Sequence, residues 1–166
     1  MGNTKKRTHT EYDFVATFVK LYQLKKTQEE NNDTMLYAIQ GNGYNQSKYA
    51  DCEIVLNDEI VKIEAKMLND TNANSTDFYN LIGEIIGTLK KPSLIQEKEG
   101  RQKRTSVGFL IPFESENVFA SLWRKNINPN GVKYCDAFSV KHLISFDKTN
   151  KVIRFFSLDR EKDEWK

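Results

Sequence analysis

Apolar and charged residues alternate along "YADCEIVL" (49–56) and again along "EIVKIEAK" (59–66), with Asn57-Asp58 between the two runs. A period of two predicts two β-strands, about 49–56 and 59–66, and Asn-Asp tolerates the positive backbone angles of a tight hairpin turn. With Leu56 opposite Glu59, Glu53 faces Lys62, Asp51 faces Glu64 and Tyr49 faces Lys66. One face of the hairpin then carries Asp51, Glu53, Lys62, Glu64 and Lys66. The other carries Cys52, Ile54, Leu56, Val61, Ile63 and Ala65.

The flanking pattern is helical. Residues 10–26 place Phe14, Phe18, Leu21 and Tyr22 on one stripe, with Thr10 as the expected N-cap and Glu11 and Asp13 in the first turn. "MLYAIQ" reads as a short strand, followed by the turn-rich "GNGYNQS". After "NDTNANST", Phe78, Leu81, Ile82, Ile85 and Leu89 mark a helix capped at Ser75 or Thr76 and stopped by Pro92. Gly83 and Gly87 lie one turn apart in it, a costly choice that predicts close packing on a neighbour or ligand. "TSVGFLIPF" is expected as a buried strand and 115–125 as a short helix. "YCDAFSV" and "KVIRFFSL" read as further strands, and "DREKDEWK" as a charged, frayed end. The fold class is therefore α+β or mixed α/β, a single domain over 1–166 with no repeat or linker.

Composition narrows this little. Of 166 residues, 39% are hydrophobic and 29% charged, as in an ordinary globular domain, and a net charge of +2 leaves any basic surface to local clustering. The clusters are Lys5, Lys6 and Arg7, and then Lys90, Lys91, Lys98, Arg101, Lys103 and Arg104. Two separated cysteines outside any CxxC pattern argue for a reduced, cytoplasmic protein without a zinc or disulfide framework. No apolar run is long enough to span a bilayer, so no membrane partner is expected. His9 and His142 form no HxxxH pattern, and neither a GxSxG elbow nor a GxxxxGK loop is present.

The chemistry lies in the hairpin. Directly opposed Asp51 and Glu64 repel unless something compensates. Lys62 or Lys66 can do so as a ladder of ion pairs on a solvated sheet face, with Glu53 paired to Lys62. A divalent cation is the other solution, because Mg²⁺ takes oxygen ligands from one or two carboxylates and completes its shell with water and substrate phosphate. Lys66, on the same face as Glu64, is then placed to orient an attacking water and offset charge on a phosphate.

Asp51 in "YADCEIV" and Glu64-Ala65-Lys66 in "VKIEAK", with the order helix, three strands, helix, strand, resemble the PD-(D/E)XK superfamily of restriction-endonuclease-like nucleases. The resemblance covers roughly residues 10–112, leaving 113–160 as a C-terminal elaboration of a helix and strands. It implies a central mixed sheet flanked by helices and a metal-dependent hydrolase of DNA phosphodiesters. Asp51, Glu64 and the Ala65 main-chain carbonyl would bind Mg²⁺, or Mn²⁺ in its place, and Lys66 would assist the water. Glu11 is the best-placed acidic residue of the first helix. Ala50 stands where the motif has proline, and Glu84 stands on the second helix where an amide is expected; helical phase puts Glu84 on the polar side. DNA is the implied partner, with Lys48, Tyr49, Lys90, Lys91, Arg101, Lys103 and Arg104 as candidate contacts and Tyr44 beside them. "EKEGRQKRTS" reads equally well as a mobile solvated loop. A homodimer would suit a double-strand cutter. The alternative is a non-catalytic nucleic-acid-binding or interaction module that keeps the fold and uses its carboxylates structurally.

Overall fold

The computed structural model describes residues 9–30, 37–39, 48–68, 75–100 and 102–166. Helix α1 (His9–Glu30) leads into β1 (Tyr37–Ile39), β2 (Cys52–Leu56) and β3 (Glu59–Ala65). Helices α2 (Ser75–Thr88) and α3 (Leu94–Glu99) precede β4 (Arg104–Pro112). A 3₁₀ turn (Phe113–Ser115), α4 (Glu116–Asn126) and α5 (Gly131–Phe138) lead to β5 (Val140–Asp147) and β6 (Val152–Phe156). A small ribbon of β7 (Leu158–Asp159) and β8 (Glu164–Trp165) ends the chain.

Strands β1 to β6 form one mixed sheet in sequence order, with β3, β4 and β5 parallel and the outer pairings antiparallel. The two parallel connections run through α2–α3 and through α4–α5. Right-handed crossovers that advance across a sheet in one direction lie on the same face, and these helices do share one. Helix α1 covers the other face, where Phe14, Val15, Phe18, Val19 and Tyr22 pack on Cys52, Ile54, Val61, Ile63, Ala65, Leu110, Ile144 and Phe146. On the crossover face Phe78, Leu81 and Ile85 of α2 meet Val107, Phe109 and Ile111 of β4, with Phe119, Leu122 and Trp123 of α4 beyond.

The hairpin register is as expected: Leu56 pairs with Glu59 and Glu53 with Lys62, with Asn57 and Asp58 at φ 51° and 60° in the turn. Regular pairing stops at Cys52 opposite Ile63, so Asp51 lies just before the strand. Helix α1 already includes His9, which puts Thr10 inside the first turn instead of capping it, and it runs on through "KKTQEE".

Three expectations are overturned. "YCDAFSV" is helical up to Phe138: Tyr134 and Phe138 meet edge to face with ring centres 5.3 Å apart as an i,i+4 pair, and Ser139 at φ 55° closes the helix with its N–H on Cys135 O. The strand lies further on, at Val140–Asp147, where a run buried on both faces lacks simple alternation. "DREKDEWK" is ordered, because Trp165 packs 5.5 Å from Trp123 and 6.1 Å from Phe109, and Asp163 is buried. Gly83 and Gly87 are exposed, and a Cβ at either would meet no neighbouring element within 4 Å among the described residues, so packing on a described neighbour does not explain them. The segment 97–106, which reads equally as nucleic-acid contacts or as a solvated loop, holds Glu97–Glu99 in α3 and Arg104–Ser106 in β4.

Candidate functional site

The charged face of the hairpin is not solvated. Glu53 is 0%, Lys62 5% and Glu64 3% exposed, which removes the surface-ladder reading. Buried charges persist only when paired and hydrogen-bonded, and each of these is. The Lys62 ammonium donates to Leu89 O at 2.7 Å and Lys91 O at 2.5 Å, carbonyls of the turn that ends α2. Glu53 accepts from the Ser93 hydroxyl and, at 2.7 Å, from the Leu94 N–H at the start of α3. A cation thus sits at the C-terminal end of one helix and an anion at the N-terminal end of the next, each complementing the helix dipole. Burial pulls Lys62 below the usual lysine range and pushes Glu53 above the usual carboxylate range, and their mutual attraction opposes both shifts. The pair fastens the α2–α3 link over the sheet.

One step along the same face, Asp51, Glu64 and Glu84 bring carboxylate oxygens within 4.8 Å of one another. Asp51 is fixed by the Ala65 N–H, which donates to its Oδ2 at 2.9 Å and so prolongs the β2–β3 pairing with a side chain. Lys66 N–H donates to Leu110 O on the β4 side. By the alternation of strand hydrogen bonding, the N–H and C=O of Ala65 therefore point to the β2 side, where Asp51 lies. Glu64 Oε1 accepts from the Thr88 hydroxyl at 2.9 Å and the Lys91 ammonium at 2.8 Å. Thr88 is also 2.8 Å from Glu84 O, one helical turn back. Burial first, then the charges of Asp51 and Glu84, push the Glu64 carboxyl up to about 8 against the opposing pull of Lys91. A site of three carboxylates offers hard oxygen donors of the kind that suit Mg²⁺ or Mn²⁺.

Comparison with protein-family models, with curated proteins and with solved structures gave no match.

Of the residues singled out in the sequence, Asp51, Glu64 and Ala65 come together as described. Lys66 follows β3 on the Glu64 face, half-buried, and its ammonium has no hydrogen-bond or ion-pair partner among the described residues. Glu11 lies in the first turn of α1, the helix on the opposite face of the sheet, and is not in the carboxylate cluster. Lys91, expected as a phosphate contact, is ion-paired with Glu64. Lys103 pairs with Asp58 at 2.6 Å, while Lys90 and Arg104 are exposed. The Lys48 ammonium lies 5.1 Å from the centre of the Tyr49 ring, and the Tyr49 hydroxyl donates to Glu97. Arg101 and Tyr44 lie outside the described residues. A shallow groove of about 610 Å³ beside α3 is lined by Lys62, Lys91, Pro92, Ser93, Gln96, Glu97, Gln102, Lys103 and Thr105. No described helix is long and apolar enough to cross a membrane.

The hairpin motif alone misses Glu84, Thr88 and the second role of Lys91. Their spacing of four and three residues puts the first two on one face of α2 and brings Lys91 round to the same side, and that phase is the signal that finds them.

Proposed function

We propose that the protein is a metal-dependent nuclease that hydrolyses DNA phosphodiester bonds, with a restriction-endonuclease-like core. The observation that carries this reading is the convergence of Asp51, Glu64 and Glu84 at the end of the β2–β3 hairpin, with a lysine two residues beyond Glu64. Hydrophobic packing gives no reason to gather three acids at one place, and their mutual repulsion calls for a cation. Asp51, Glu64 and Glu84 would hold Mg²⁺ or Mn²⁺, and the Ala65 carbonyl is directed to the same side. Bound there, the cation supplies Lewis-acid stabilisation of the phosphoryl oxygens and a more acidic water.

The chain's own residues do the rest. Thr88 orients Glu64 by donating to Oε1, and the Ala65 N–H holds Asp51 by Oδ2. Lys66 offers an ammonium to the attacking water or to the charge that develops on the phosphate. The groove beside α3, with Lys91 and Lys103 at its border and Glu97 in its wall, can take a phosphate backbone and carries no base-reading information by itself. DNA as substrate and a homodimer for double-strand cleavage belong to this reading.

One observation favours a second reading, a non-catalytic nucleic-acid-binding module: the Lys91 ammonium already occupies Glu64 Oε1. The two separate in one experiment. Supercoiled, linear and single-stranded DNA are incubated with the protein in Mg²⁺, Mn²⁺ or EDTA, beside folded Asp51→Asn, Glu64→Ala and Lys66→Ala. Cleavage that needs metal and is lost in all three variants is expected. DNA binding without cleavage and without a metal-induced rise in melting temperature would establish the second reading instead.

A further inference from the structure

Lys91 follows α2 in the turn before α3, and its ammonium reaches 2.8 Å to Glu64 Oε1. Its side chain is 21% exposed against 4% for Glu64, so the pair has one end inside and one end bordering water. The same lysine lines the groove beside α3, together with Lys62, Ser93, Gln96 and Lys103. It therefore borders both the carboxylate cluster and an open polar groove whose wall also holds Glu97.

These two places make different demands on it. Glu64 Oε1 already receives two donors, Thr88 and Lys91. A divalent cation and an ammonium cannot share that oxygen without strong repulsion, which at a few ångströms exceeds thermal energy several-fold even with surface screening. Lys91 can leave without disturbing the fold, because its main chain is held separately: its carbonyl accepts from Lys62 and its N–H donates to Thr88 O. A four-carbon stem gives the ammonium room to swing. Lys62 has no such freedom, being buried and held by two carbonyls.

Resting on the metal reading above, we infer that Lys91 is the resident counter-ion of the carboxylate cluster, which a divalent cation displaces into the groove, where it binds the phosphate of a nucleic-acid backbone. Cation and phosphate then favour each other's binding through one side chain, as linkage requires. Lys91 is a positioning residue in this scheme, and its ammonium is distinct from that of Lys66.

The test measures binding and needs no turnover. Mn²⁺ affinity is determined by calorimetry at pH 8 for the wild type, Lys91→Met and Lys91→Gln, with circular dichroism verifying the fold. Removing the resident ammonium is expected to tighten Mn²⁺ about tenfold in both variants, a value reduced for the partial exposure of the lysine. In parallel, affinity for a labelled oligothymidylate is read by fluorescence anisotropy in EDTA and in Ca²⁺. The wild type is expected to bind it more tightly with Ca²⁺, and the variants to lose most of that gain. Binding of Mn²⁺ by a variant alone also supports the inference, since the lysine then holds the site shut. Equal or tighter binding by the wild type overturns displacement and leaves the metal reading standing. Absence of Mn²⁺ binding in all three proteins overturns both.

Discussion

Glu64 makes the stability of the metal-free protein depend on pH in an unusual direction. Its carboxyl is buried, and burial together with Asp51 and Glu84 raises its pKa from 4.5 to about 8. Between those values the folded protein holds a proton that the unfolded chain has released. Stability therefore falls as pH rises through this window: the contribution is complete below about 4.5 and gone above about 8. The whole loss is of the order of a few kcal/mol, a large fraction of the stability of an ordinary domain. The perturbation is Glu64→Gln, which keeps an acceptor for the Thr88 hydroxyl and cannot ionise. Urea denaturation in EDTA, followed by the fluorescence of the buried Trp123, gives the unfolding free energy from pH 5 to 9. The wild type should lose several kcal/mol more than Glu64→Gln over this range, the two curves converging towards the acid end. Parallel curves for the two proteins would refute the reasoning, because they would mean that Glu64 ionises in the folded state as it does in the unfolded chain.

Two further changes test how the site is built. Lys62→Met keeps the stem but leaves Leu89 O and Lys91 O without their donor and Glu53 without its buried partner; a loss of about 3 kcal/mol is expected in urea melts, and an unchanged midpoint would show that the α2–α3 link does not depend on this ammonium. Gly131→Ala should cost at least as much, since its Cβ would lie 2.2 Å from Asp163 Oδ1 and 2.6 Å from Trp123 Cζ2, and neither group has room to retreat; a neutral result in the same assay would mean that the C-terminal ribbon shifts freely.

The parts of the fold carried by local pattern were legible in the sequence. Alternation around Asn57-Asp58 fixes the hairpin and its register from Leu56–Glu59 out to Cys52–Ile63; Asp51 lies just beyond that pairing, tied to the Ala65 N–H by its side chain. The stripes of α1 and α2 follow from residues spaced to face a core. What escaped depends on contacts between distant segments. "YCDAFSV" carries apolar residues that suit either period, and it is helical because Asp163, near the other end of the C-terminal region, accepts the Gly131 N–H at 2.9 Å while Trp123 packs against Tyr134. The charged tail is ordered because one tryptophan within it finds an aromatic cluster formed by β4 and α4.

The charged face of the hairpin shows the same limit in the candidate site. Strand pairing set Glu53 beside Lys62 and brought Asp51 to the end of the hairpin near Glu64 but said nothing of what would lie above them. The layer above is the end of α2, the turn after it and the start of α3, which present carbonyls to Lys62, N–H and hydroxyl donors to Glu53, and a threonine, a lysine and a third carboxylate to Glu64. The two halves of the face therefore end differently. At Glu53 and Lys62 opposite charges and helix ends satisfy one another, which is a structural arrangement complete in itself. At the other half Asp51 and Glu84 bring carboxylate oxygens within 4.8 Å of Glu64, whose Oε1 Lys91 reaches, and three hard oxygen donors gathered in this way are what a divalent cation would take. The feature that sets the site apart is thus the gathering of three carboxylates: a few ångströms along the same sheet face, one acid stands beside one base.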